Sequence, residues 1–129
     1  MNLEGKRVLL TGASGGIGIE VLRQLLQHGA RVVAASKEIE SIGRELRELG
    51  GLLDQPGRLL LVEGDLTDAA FRAGLVARVG DWGGGGLDLL INGAGAGDFA
   101  LLEHQASRGI DFLVALNLTA PMDLARQAL

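Results

Sequence analysis

The segment Thr11-Gly12-Ala13-Ser14-Gly15-Gly16-Ile17-Gly18 separates two unlike periodicities, and it constrains the fold more than any other part of the chain. Before it, Arg7 to Thr11 is a short Val- and Leu-rich run, the pattern of a strand buried on both faces. After it, from Gly16 to His28, the apolar residues Ile17, Val21, Leu22 and Leu25 recur at helical spacing, and Gly29 stands where a left-handed C-cap favours glycine. Strand, glycine turn and helix in that order open a βαβ unit. Gly12 permits a sharp turn out of the strand, Gly16 lets a ligand approach the backbone, and Gly18 lets the helix pack closely on the sheet. The first N–H groups of the helix lack intrahelical partners and lie at the positive end of its dipole, so a pyrophosphate there gains hydrogen bonds and charge together. A plain tight turn is the bland alternative, but it has no need of glycine at 12, 15, 16 and 18 together.

The alternation then repeats. Arg31 to Ala35 reads as a second strand, and Ile39, Ile42, Leu46 and Leu49 mark a second helix stopped by Gly50 and Gly51, with Pro56 and Gly57 in the loop beyond. Leu59 to Val62 is a third strand, Asp68 to Val79 a third helix carrying Phe71, Leu75, Val76 and Val79, and Leu87 to Ile91 a fourth strand. A last helix spans Ser107 to Leu129. Strands alternating with such helices call for a parallel sheet with right-handed crossovers: one α/β domain over residues 1–129, a doubly wound sheet of the Rossmann type, incomplete, with strand order 3-2-1-4. The glycine run Gly83 to Gly86 is expected to be a flexible surface loop. With 129 residues, 47% apolar but only 3% aromatic, the core must be built from Leu, Val, Ile and Ala.

Charge and composition exclude several function classes. The net charge is -4, and the twelve Lys and Arg are scattered, so nucleic acid and anionic membranes are not expected partners. Cysteine is absent, which removes disulfides, thiolate catalysis and Cys-ligated zinc, and no metal site is expected. No apolar run approaches the roughly 20 residues of a spanning helix, and a cytoplasmic location is the expectation.

Four ordered motifs together resemble the short-chain dehydrogenase/reductase family across essentially the whole chain. The Thr-Gly-x-x-x-Gly-Ile-Gly pattern is similar to its cofactor fingerprint. Asp65-Leu66 after the third strand looks like the adenine-contacting Asp and its neighbour, and Asn92-Gly93-Ala94-Gly95 resembles the Asn-Asn-Ala-Gly motif with glycine for the second Asn. Asn117 falls where the family has its helix-borne catalytic Asn, in a supporting role. The resemblance implies a nicotinamide cofactor held by Gly12, Ser14, Gly15, Gly16, Ile17, Gly18, Ser36, Lys37, Asp65, Leu66, Asn92, Gly93, Ala94 and Gly95. Read from the residues alone, Asp68 is the more natural helix N-cap, which leaves Asp65 freer for a ligand. Asn117 lies four residues before Pro121, so its carbonyl loses its helical donor at an expected kink. The family's Asn holds a relay water by its main chain, and an ordinary solvent-filled proline kink is the alternative.

About 20 residues past the glycine turn, an NAD-type site has an Asp or Glu that accepts from the ribose 2′-hydroxyl. The second strand here ends Ala34-Ala35-Ser36-Lys37 instead. A hydroxyl followed by an ammonium suits a 2′-phosphate, so NADP(H) is expected, with NAD(H) as the alternative. Glu38, Glu40 and the absence of a basic residue at Gly15 weigh the other way.

Reducing a carbonyl also needs a proton donor, supplied in the resembling family by Tyr with a Lys four residues later and a Ser beside them. The chain has no tyrosine, and its lysines are Lys6 and Lys37. His28 at a helix end, and His104 or Asp98 in polar loops, are poor substitutes. The expectation is a cofactor-binding part whose catalytic residues lie outside this sequence, the alternative being a non-catalytic nucleotide-binding module that acts through a partner. An edge position for the fourth strand, and a last helix with Ile110, Leu113, Val114 and Leu118 on one face, further predict self-association through that helix or edge.

Overall fold

The computed structural model describes residues 2–47 and 56–129. Its elements are β1 (Arg7–Thr11), α1 (Gly16–Gln27), β2 (Arg31–Ser36), α2 (Glu40–Leu46), β3 (Leu59–Glu63), α3 (Ala69–Gly83), β4 (Leu89–Asn92), α4 (Ser107–Val114), a π-helical segment (Ala115–Thr119) and α5 (Ala120–Ala128). The four strands form one parallel sheet in the order β3-β2-β1-β4, as the strand–helix alternation predicts. Register pairs Leu9 with Val33 and with Leu90, and Val33 with Leu60.

Alternate residues of the two inner strands feed opposite faces, because side chains along a strand point alternately up and down. Val8, Leu10, Val32 and Ala34 pack with Leu22 and Leu26 of α1 and Ile42 and Leu46 of α2. Leu9, Val33 and Ala35 pack with Leu75 and Val79 of α3 and Ala120 and Leu124 of α5. Helices therefore cover both faces, the doubly wound arrangement. The edge strands β3 and β4 are only half-buried.

Several local expectations are corrected. Ile17 does not face the core: it is 84% exposed on the first turn of α1, and the buried face is Gly18, Leu22, Leu25 and Leu26. β4 begins at Leu89 rather than Leu87, which packs against the α3 side of the core instead. Helix α3 runs past Val79 to Gly83, because Trp82 packs against the same core and lies under the Arg31 guanidinium, 5.2 Å from ring centre to Cζ. Of the Gly83–Gly86 run, Gly83 therefore ends α3 and Gly84 caps it, while Gly85 and Gly86 lead through a loop toward β4. Gly84 takes φ +70 and its N–H bonds the Gly80 carbonyl, while Arg31 donates to the Gly83 carbonyl at 3.0 Å and the Arg7 side chain lies against Gly83 and Gly85. Leu49, Gly50 and Gly51, expected to end the second helix, lie outside the described residues.

The last helix is continuous from Ser107 but changes register. Pro121 has no N–H to donate, and the chain passes through one turn of i→i−5 bonding, with the Ala120 N–H on the Ala115 carbonyl, instead of a simple kink. Among the described residues, no helix is long and apolar enough to cross a membrane.

Candidate functional site: a cleft at the carboxyl ends of the strands

At the carboxyl ends of the strands lies a cleft of about 250 Å³. Its walls are the turn after β1 (Gly12, Ser14, Gly15), the end of β2 (Ser36, Lys37), the turn after β3 (Gly64, Asp65, Leu66), the loop after β4 (Gly93, Ala94, Gly95) and Phe112 and Leu116 of the last helix. Ligands of open α/β sheets settle outside the carboxyl ends of strands where the order reverses, here between β1 and β4.

The glycine turn is tightly specified. Gly12 sits at φ +70, where a Cβ would also press to 2.6 Å on the Gly93–Ala94 peptide. A Cβ on Gly18 would overlap the Gly12 carbonyl oxygen. Around Gly16 nothing lies within 4 Å of such a Cβ, so that side of the turn is open for approach. Helix α1 starts after Gly15 with no side-chain cap and no acidic residue in its first turn. Its leading N–H groups are thereby left to solvent or to an anion.

Thr11 ties this turn to the loop after β4. Its hydroxyl is buried and accepts from the N–H groups of Gly93 (3.2 Å) and Ala94 (3.3 Å). Thr11 is not among the expected contact residues, although a polar residue closing an otherwise apolar strand marks it. On the far side of that loop, the Asn117 amide accepts from the Ala96 N–H at 3.0 Å and donates to the Ala96 carbonyl at 2.7 Å. Asn117 thus acts here through its side chain, gripping the two successive peptide groups that flank Ala96, and Gly95 leaves room for it. Asn92 is not among the lining residues, and its amide donates to the Pro121 carbonyl at 3.4 Å.

At the end of β2, the Ser36 and Ser14 hydroxyls share a 2.5 Å hydrogen bond, and Ser36 also accepts from the Glu38 N–H. Two hydroxyls carry two protons and their mutual bond uses one, which leaves one O–H for a ligand. The Lys37 ammonium lies 3.8 Å from Asp65 and 5.8 Å above the Phe112 ring. Among the lining residues Lys37 is the one cation and Asp65 the one acid. Glu38 is no rival charge in the cleft: it caps the start of α2, accepting from the Ser41 N–H at 2.8 Å, and those Ser41 bonds hold its carboxyl below the usual range.

Asp65 is less free than expected. One carboxylate oxygen takes both the N–H (2.9 Å) and the hydroxyl (2.8 Å) of Thr67, and these bonds, with Lys37 adding to them, lower its pKa. Asp68 is the helix cap, as its position implies, accepting from Ala70 N–H at 2.9 Å. Asp65 serves its own turn with one oxygen and presents the other toward Lys37.

Of the expected contact residues, the cleft lining includes Gly12, Ser14, Gly15, Ser36, Lys37, Asp65, Leu66, Gly93, Ala94 and Gly95. Gly16, Ile17, Gly18, Asn92 and Asn117 stand around it. Phe112, Leu116 and Gly64 join the wall without having been anticipated. His104 and Asp98 are exposed and outside it. The lining polar side chains are Ser14, Ser36, Lys37 and Asp65, a set suited to holding a polar, anionic ligand rather than to delivering a proton to a substrate.

The fold that forms this cleft recurs in known proteins. A family model described as short chain dehydrogenase matches residues 6–129. The chain is 31% identical over 128 residues to an uncharacterized oxidoreductase of Thermotoga maritima, covering 99% of this chain and 49% of that protein. It is 34% identical over 128 residues to a fatty acyl-CoA reductase of Mycobacterium tuberculosis, covering 98% and 42% respectively. Among solved structures, a short chain dehydrogenase from Burkholderia cenocepacia in complex with NADP superposes with a TM-score of 0.87 at 29% identity, over 99% of this chain and 51% of that one. A short-chain dehydrogenase/reductase from Brucella melitensis, 24% identical, shares the fold at a TM-score of 0.88 over 99% and 52%. The chain thus spans about half the length of its relatives. By its glycine turn, its sheet order and a match running from Lys6 to its last residue, the chain belongs to the short-chain dehydrogenase/reductase family.

Proposed function

We propose that the cleft binds a nicotinamide dinucleotide, with NADP(H) preferred over NAD(H). The observation that carries the reading is the uncapped start of α1 beside the open face of Gly16, directly bordering the cleft. Pyrophosphate oxygens would accept from the N–H groups there, with Ser14 and Gly15 alongside and Gly18 keeping the helix close. Leu66, Ala94 and Phe112 offer apolar surface for a flat base, and Asp65 the polar edge. At the ribose, Ser36 and Lys37 would hold a 2′-phosphate, which competes with Asp65 for the ammonium; an acid that would repel it is not among the lining side chains at the end of β2. Ile17 and Asn92 would border the nicotinamide end. The bound nicotinamide supplies hydride chemistry, while these residues bind and orient it.

The chain by itself is proposed to bind cofactor without turning over a carbonyl substrate, since it contains no tyrosine and neither lysine lies on the last helix. The oxidoreductase activity then belongs to residues acting together with this part. The exposed stripe Ile110, Val114, Leu118 and Met122, beside the half-buried β4 edge, supports self-association as a further property. Titration of isotope-labelled chain with NADP⁺, followed by amide NMR shifts, tests the site. Shifts should cluster at Gly15 to Gly18, Ser36, Leu66 and Ala94; shifts confined to other surfaces would overturn the assignment.

A further inference from the structure

Arg72 is the one strongly basic side chain sunk in the core of the described residues. It lies on the face of α3 that also carries Leu75 and Val79, and its side chain is 7% exposed. Its guanidinium divides between two partners. Nη1 donates to the Leu66 carbonyl at 2.8 Å, and Nε donates to Asp123 of α5 at 2.8 Å. Asp123 also accepts from Arg126 at 2.7 Å and Gln127 at 3.1 Å, so its carboxylate is fixed from three directions. Those bonds, Arg72 first, bring its pKa down to about 2, so it stays charged throughout the neutral range.

A buried guanidinium needs a counter-charge, and a buried carbonyl needs a donor. The three groups answer both requirements only while α3, α5 and the turn after β3 keep their present spacing. Leu66 is itself part of the cleft wall, next to Asp65. We propose that Arg72 and Asp123 are positioning residues that set the Asp65–Leu66 wall of the cleft from the last helix, so that a shift of α5 is felt at the nucleotide base. The proposal rests on the cofactor reading above for its binding consequence, but its structural part stands apart from it.

The test uses the full chain and a pair of variants. Arg72→Met alone takes from Asp123 its buried partner, leaving it Arg126 and Gln127, and takes from the Leu66 carbonyl its donor, and this variant can simply fold poorly. Arg72→Met with Asp123→Leu removes both charges and refills the volume, a replacement that generally preserves stability, yet it still leaves the Leu66 carbonyl without a donor. The double variant should unfold at close to the parent temperature. Amide hydrogen exchange at Thr67 and Asp68, whose N–H groups bond Asp65, should nevertheless quicken roughly tenfold or more, while Leu75 and Val79 keep their protection. Affinity for NADPH and for adenosine 2′,5′-bisphosphate should fall by roughly the same factor. Unchanged exchange at Thr67 and Asp68 would overturn the positioning role whatever the binding result. Faster exchange in a chain whose parent binds neither compound would leave the positioning role standing and remove the cofactor reading instead.

Discussion

Adding one methyl group at Gly16 and at Gly18 should separate ligand binding from folding, because the two glycines meet different surroundings two residues apart. At Gly18 the new Cβ overlaps the Gly12 carbonyl oxygen and comes to 2.9 Å from the Gly12 carbonyl carbon and 3.1 Å from Ala13 Cα. All three are backbone atoms of the turn, so no rotamer change relieves the contact. Overpacking of this kind costs about 1–3 kcal/mol, and the gain in helix propensity from Gly to Ala recovers at most about 1 kcal/mol. Gly18→Ala should therefore lose about 1–2 kcal/mol, a fall of roughly 4–8 °C in Tm for a domain of this size. At Gly16 the Cβ enters open space, so Gly16→Ala should unfold at or slightly above the parent temperature. Its methyl nevertheless stands where a pyrophosphate would approach, and NADPH affinity should fall roughly tenfold or more. Circular dichroism melts and calorimetric titration of the two variants read both effects. A Gly18→Ala chain as stable as the parent would refute the close packing of α1 on the turn, and full NADPH affinity in Gly16→Ala would move the phosphate site elsewhere.

Lys37→Ala should weaken NADPH roughly tenfold with little effect on NADH, since only the former carries the phosphate the ammonium would bond; equal losses in a paired titration would show that Lys37 does not read the ribose. Asn117→Ala removes both bonds to Ala96 and should lower stability by about 1–2 kcal/mol, whereas Asn117→Asp, which keeps the acceptor but sets a carboxylate oxygen against the Ala96 carbonyl, should lose at least as much, as judged by urea denaturation. Asp88, bonded by the Arg7 side chain and N–H, has its pKa lowered from 3.8 to about 2, and Asp123 is lowered likewise. A depressed folded pKa contributes stability that is present above about pH 3.8 and lost as the pH falls toward about 2, so Asp88→Asn should flatten the acid limb of a stability–pH curve in that window; an unchanged limb would mean that the pair contributes nothing. Light scattering behind a sizing column should give a mass above the monomer at micromolar concentration, and a monodisperse monomer would rule out association through Ile110, Val114 and Leu118.

The sheet was legible because its signals are local and redundant. Val/Leu runs of strand length, helical spacing between them and glycines at the turns all agreed, and the crossover rule then left the order β3-β2-β1-β4. What the sequence concealed was set by tertiary contact. Ile17 matched the helical pattern yet is exposed, because the first turn of α1 stands at the sheet's carboxyl edge where nothing covers it. The glycines after α3 looked like slack, but two arginines brought in from β1 and β2 lie against them. Asp65 was expected to be free, and Thr67, only two residues on, occupies one of its oxygens. Pro121 announced a break in helical bonding, although not that a π-helical turn would resolve it. The Arg72–Asp123 pair had a readable trace, opposite charges on the inward faces of two helices, but only the fold puts those faces together.

Calorimetric titration of the unmodified chain with NADPH and then NADH tests the central claim most directly. Saturable binding of one NADPH per chain, tighter than NADH, is the predicted result. Failure to bind either dinucleotide would contradict the assignment of the cleft, and tighter binding of NADH would contradict the role given to Ser36 and Lys37.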